Sequence, residues 1–191
     1  MSLPKLIVFD LDYTLWPFWC DTHVSMPVKA LNDNQIIVDS QGDCFTFYEE
    51  VPMLLKLLNE NKNFELCVAS RTQTPAVAKA LLQNLHVDGQ PSEKIFRSVL
   101  YGTGSKVTHF EQLKKLTGVD YHEMLFFDDE SRNRDVEHKL GVVFCHVENG
   151  MTMHLYKQGI ELWRKNYQKL APRLAISQEY PVEADQVQAL A

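Results

Sequence analysis

The sequence is short of four things: a C-x-x-C pair, a long apolar run, a surplus of positive charge, and any Lys or Arg after Arg173. Each absence removes a class of protein. The four cysteines (Cys20, Cys44, Cys67 and Cys145) are scattered, which suits reduced thiols in the cytosol better than a disulfide framework or a closed zinc site. Cys20 and His23 in "CDTH" come nearest to a metal pattern, but no second pair at ligand spacing follows. No apolar stretch approaches the ~20 residues that cross a bilayer, and "LIVF" at 6–9 is too short, and too soon acidic, for a signal peptide. A formal charge of −6 and a pI near 5.6 leave no basic footprint for a nucleic-acid backbone. The expectation is a cytoplasmic chain with neither a membrane nor a nucleic-acid partner.

What is present is enough apolar material, 45% of the residues, for one well-buried domain over 1–170. Four short apolar runs, "LIVF" at 6–9, "FELCVA" at 64–69, "MLFF" at 124–127 and "VVFC" at 142–145, read as buried parallel strands. "KIFRSVLYG" at 94–102 is a fifth candidate. Helical patterns lie between them: "VPMLLKLLNENK", "TPAVAKALLQNL" with Thr74 as N-cap and Pro75 at the first helical position, and "SKVTHFEQLKKLTG" and "SRNRDVEHKLG", each closed by glycine. This alternation predicts an α/β fold: a Rossmann-like, open, mainly parallel sheet with helices on both faces. Residues 13–50 break the rhythm, and "IIVDSQGDCFTFY" reads as a small hairpin flap turning at Gln41-Gly42-Asp43. The Met and aromatic positions of 151–167 fit helix packing, and "SQEYPVEADQVQALA" belongs to an acidic tail, 171–191, expected to be flexible.

The chemistry is signalled by where the acids fall. Asp10 and Asp12 follow the first strand, and Asp128 and Asp129 follow "MLFF". Paired carboxylates are expensive to withdraw from water unless a cation, a shared proton or solvent relieves them. In a parallel sheet the carboxyl ends of strands lie on one edge, where ligands bind. Four acids there suit a hard, oxygen-seeking cation such as Mg²⁺. Ser70, Arg71 and Thr72 end another strand at that edge with hydroxyl and guanidinium donors, and Lys106 opens a helix after the "GTGS" turn. Read singly, an acidic pair can merely start a helix and Ser-Arg-Thr is ordinary loop chemistry.

In chain order the set resembles the haloacid dehalogenase (HAD) superfamily. "DLDYT" matches its first motif, Ser70 its second, Lys106 its third and "FFDD" its fourth, over roughly residues 5–147. The stretches "LIVFDLDYTLWPFWCDTHV", "SRT", "THFEQL", "FFDDESRN" and "VENGM" are similar to its eukaryotic magnesium-dependent phosphatases, which lack a cap domain.

That resemblance implies a Mg²⁺-dependent phosphomonoesterase working through an aspartyl-phosphate. Asp10 would be nucleophile and metal ligand, and Asp12 general acid/base with its backbone carbonyl on the metal. Asp129 would complete the metal shell, with Asp128 beside it, bound directly or through a water. Ser70, Lys106 and the Leu11 N–H would hold the phosphoryl group, and Arg71 and Trp19 would border the substrate. Trp16 and Phe18 are expected to pack the hairpin on the sheet, and the histidines to be structural or exposed. With no cap between Asp12 and Ser70 or between Ser70 and Lys106, the implied substrate is an aryl phosphate such as phosphotyrosine on a protein, or a sugar phosphate, including a fructosamine-6-phosphate. The chain is expected to be a monomer. A phosphotransferase or mutase of the superfamily, or a non-catalytic binding protein on the same fold, stands as the alternative.

Overall fold

The structure, a computed structural model, describes residues 2–179, with side chains through residue 170. Chain order begins β1 (Leu6–Phe9), α1 (Cys20–His23), β2 (Lys29–Leu31), β3 (Ile36–Val38), β4 (Cys44–Phe45), α2 (Val51–Glu60) and β5 (Glu65–Ser70). It continues with α3 (Pro75–Asn84), β6 (His86–Val87), β7 (Gln90–Pro91), β8 (Ser98–Tyr101) and α4 (Lys106–Thr117). It ends with β9 (Met124–Asp128), α5 (Asp135–Leu140), β10 (Val143–His146) and α6 (Met153–Glu179). Five strands form the main sheet in the order β10-β9-β1-β5-β8, every pair parallel.

The continuous apolar runs are explained by burial on both faces. Ile7, Phe9, Leu66, Val68, Leu125 and Phe127 point into a core closed by α2, α3 and α6. Leu6, Val8, Cys67, Met124 and Phe126 face a second core closed by α4 and α5. Strand β1 is central and wholly inaccessible, and each apolar side chain so buried stabilises the fold by about 1.5–3 kcal/mol. Phe9 and Phe127, each just ahead of an aspartate, stack with ring centroids 5.4 Å apart. Helix α6 crosses this spot through Gly159, where a Cβ would come 2.4 Å from the Phe127 ring.

The expected α/β sheet is therefore present, and some boundaries move. Strand β9 runs on into Asp128, because Asp128 pairs with His146 of β10. The run 94–102 contributes only Ser98–Tyr101, since Ser92–Ile95 winds into a 3₁₀ turn. "SRNRDVEHKLG" is a 3₁₀ turn at Ser131–Arg134 followed by the short α5. Both glycine caps hold, with Gly118 at φ 72° and Gly141 at φ 82°. The hairpin forms as β3–β4, with Ile37 opposite Phe45 and Val38 opposite Cys44, and β2 adds a third antiparallel strand. No cap domain is inserted: 13–50 holds this small sheet and α1, and 71–105 holds α3, the β6–β7 ribbon and β8. Backbone 171–179 continues α6 across the boundary expected for the acidic tail, and residues 180–191 lie outside the described residues. Among the described residues no helix is long and apolar enough to cross a membrane.

Candidate active site

At the carboxyl edge of the sheet lies a cavity of about 410 Å³ lined by Asp10, Asp12, Trp19, Ser70, Arg71, Lys106 and Asp129, among others. The β1 strand delivers Asp10, and a tight turn follows in which the Leu11 carbonyl accepts N–H groups from Thr14 (3.1 Å) and Leu15 (2.8 Å). Tyr13 takes a left-handed φ of 52° in this turn, a strain of the kind concentrated at functional loops. The Leu11 side chain itself is buried. Strand β5 ends on Ser70, whose Oγ accepts the Thr72 N–H at 3.3 Å. Ser105 caps α4 by accepting from the Val107 N–H at 3.1 Å, which seats Lys106 at the first helical position.

Lys106 is the centre of the charge arrangement. Its ammonium is 1% exposed as a residue and donates to Asp10 Oδ1 at 2.5 Å, to the Ala69 carbonyl at 2.5 Å and to Asp128 Oδ2 at 2.9 Å. Burial works against that charge, but the two carboxylates outweigh it and hold the lysine protonated, above its ordinary range. Burial likewise pushes the Asp10 carboxyl up, while Lys106 pulls it back. Asp129 is pushed up to about 6, by burial first and then by the charges of Asp128 and Glu130. One lysine is thus shared by Asp10 and Asp128, and the carboxylates lining the cavity still outnumber Lys106, Arg71 and Arg132, a deficit of positive charge that fits a further cation. The donors that face the cavity, Asp10 and Asp129, match the one or two carboxylates that Mg²⁺ takes alongside water and substrate oxygens.

Asp128 stands apart from the cavity. Its Oδ1 accepts from the Glu130 N–H at 2.8 Å, Asn133 Nδ2 reaches both oxygens at 2.9 Å, and Lys106 takes Oδ2. With those partners the carboxylate holds Lys106 and the loop after β9. Asp12 is also engaged: Trp16 Nε1 donates to Oδ1 at 2.7 Å and the Cys20 N–H at 3.2 Å. Burial raises its pKa against these donors.

Trp19 is 49% exposed at the cavity mouth, stacked on His23 with centroids 5.7 Å apart, whereas Trp16 and Phe18 are buried as expected for packing. Arg71 donates to Asn133 Oδ1 at 3.3 Å, and its Nε has no partner among the described residues.

Four neighbours of the site were given no role there by the sequence, Trp16 being expected to pack the hairpin and His146 to be structural or exposed. Asn133 links Arg71 to Asp128, His146 Nε2 meets the Asp129 carbonyl at 2.7 Å, and Trp16 and Cys20 grip Asp12. His109 is 4% exposed with Nδ1 unpartnered among the described residues, and its pKa is driven down to about 4 by burial, then by the charges of Lys106 and Arg71.

A parallel sheet with these acids and this lysine at its carboxyl edge defines a HAD-like protein, and the fold agrees. A HAD family enzyme from Bacteroides thetaiotaomicron, solved as a magnesium complex, superposes with a TM-score of 0.56 at 16% identity, covering 82% of this chain and 100% of that one. The chain belongs to the Acid Phosphatase family, whose profile matches residues 2–166. It is 47% identical over 149 residues to a HAD-like hydrolase superfamily protein of Schizosaccharomyces pombe, covering 75% of this chain and 86% of the relative. It is 40% identical over 185 residues to the Homo sapiens protein named magnesium-dependent phosphatase 1, covering 95% and 98%.

Proposed function

We propose that this protein is a Mg²⁺-dependent phosphomonoester hydrolase acting on aryl phosphates of the phosphotyrosine type or on sugar phosphates. Family membership and the names of the relatives support the reaction class. The observation that carries the reading is the Lys106 ammonium at 2.5 Å from Asp10 Oδ1, inside a cavity shared with Ser70 and Asp129.

The chemistry follows from the positions. Phosphoryl transfer needs chiefly positioning and charge neutralisation. Lys106 and the Ser70 hydroxyl oppose the equatorial phosphoryl oxygens, with the Leu11 N–H beside them. Asp10 attacks phosphorus in line, forming an aspartyl-phosphate, while Asp12 gives its proton to the departing ester oxygen. Asp12 then takes a proton from the water that hydrolyses the acyl phosphate. When bound, Mg²⁺ would be held by the carboxylates of Asp10 and Asp129 and the Asp12 carbonyl and would supply further neutralisation of charge at the phosphoryl group. Asp128 acts through Lys106. Arg71 and Trp19 border the substrate at an uncapped mouth, so a ring or a protein side chain has access.

The test is phosphate release from an aryl phosphate with Mg²⁺ or with chelator, for wild type and Asp10→Asn. Metal-dependent release that falls by more than about a thousandfold in the variant is the expected result. A well-folded wild type that releases no phosphate with Mg²⁺ overturns the proposal.

A further inference from the structure

Asp12 has to carry a proton on one defined oxygen if it is to act as the acid. Its Oδ1 faces two N–H donors, Trp16 Nε1 at 2.7 Å and Cys20 N at 3.2 Å. Among the described residues Oδ2 meets only the Cys20 thiol, which donates to it at 3.7 Å, and a thiol is a weak partner that Oδ2 can lose at little cost. An oxygen already receiving two N–H groups has no room to donate in those directions.

Both donors are themselves fixed. The Trp16 indole is wholly buried and stacks with Phe18 at 5.4 Å and with Phe47 at 6.1 Å. Cys20 Sγ lies 3.2 Å from Thr72 Oγ1, on the loop that follows Ser70. A buried indole N–H requires an acceptor, but any carbonyl would serve; here the acceptor is the acid itself.

Resting on the phosphatase reading, we infer that Trp16 and Cys20 are positioning residues that hold Asp12 so that Oδ2 is the proton-bearing oxygen. In the first step the Asp12 Oδ2–H bond breaks and its proton passes to the ester oxygen. The P–O bond to the leaving group breaks and the bond from Asp10 to phosphorus forms. An alkoxide leaves only when it is protonated, whereas a nitrophenolate leaves without help.

The experiment compares 2-phenylethyl phosphate with 4-nitrophenyl phosphate in the full chain with Mg²⁺, for wild type and Trp16→Phe. Trp16→Phe should lower kcat/KM for the alkyl ester by roughly ten- to a hundredfold more than for the nitrophenyl ester, a part of the 10²–10⁴-fold a general acid supplies. Equal losses on both esters, as a purely structural role predicts, or no loss on either, overturn the inference. A wild type inert on both esters overturns the phosphatase reading and this inference together, so the two failures are distinguishable.

Should Trp16→Phe lose its cooperative melt, the indole N–H resonances of the three tryptophans decide. Asp12→Ala should shift the Trp16 signal upfield while Trp19 and Trp163 stay in place, and an unmoved Trp16 signal overturns the inference.

Discussion

Strand β9 has acids at both ends, and its two ends treat them differently. Ahead of it, Asp120, His122 and Glu123 bring ligand atoms within 4.8 Å of one another. Solvent reaches them, Lys114 pairs with Asp120 at 2.8 Å and Lys5 with Glu123 at 2.8 Å, and the Asp120 carboxyl is held below its ordinary range by the Lys114 hydrogen bond. Beyond its other end, about 16 Å away at strand spacing, Asp129 is raised by burial and Lys106 is enclosed between two carboxylates. The tighter ligand geometry is at the end where lysines and water already satisfy the charge. The end able to use another cation gathers no such close ligand trio among the described residues and admits far less solvent, so close ligand spacing is a poorer guide to chemistry than uncompensated charge.

The largest effect that sharpens this contrast is Lys106→Met. Removing the one ammonium leaves Asp10 and Asp128 facing each other's charge, and unfolding free energy in chelator should fall by about 3–5 kcal/mol, read from denaturant melts.

A smaller effect concerns His109 beside that lysine. Its pKa near 4 lies below that of an unfolded histidine, ~6.5, so between those values the unfolded chain binds the extra proton. Its contribution is intact above ~6.5 and is lost as pH falls toward 4. The stability difference between wild type and His109→Gln should move in the variant's favour by at most about 1.4 kcal/mol per pH unit across that window, checked by melts at stepped pH.

The smallest belongs to the amino end. Lys114→Ala removes a surface pair and should change stability by less than about 1 kcal/mol, an effect that shrinks further in salt. A loss as large as that of Lys106→Met would erase the distinction between the two ends.

What the sequence disclosed, and what it withheld, divides along similar lines. Asp10, Ser70, Lys106 and Asp129 each sit just past a strand or at a helix start, so chain position alone puts them at one edge, and the structure brings them round one cavity. Trp16, Cys20, Asn133 and His146 were not legible as neighbours of the site. Trp16 bonds an acid four residues back within a loop, Asn133 reaches Arg71 across 62 positions, and His146 meets a backbone carbonyl on the adjoining strand's loop. Such contacts depend on loop paths and rotamers, which apolar periodicity does not encode. The split of 131–141 into a 3₁₀ turn and a short helix escaped for a related reason: Asn133 and the Glu130 N–H turn inward to bond Asp128.

Gly159 adds a warning about mutational scans. Any side chain there must displace the Phe127 ring, and Phe127 immediately precedes Asp128, whose carboxylate holds Lys106. A library scored on turnover would therefore mark position 159 and position 10 alike as intolerant, one for want of space and the other for want of a nucleophile. Only a score that separates abundance from rate per folded molecule tells the two kinds of constraint apart.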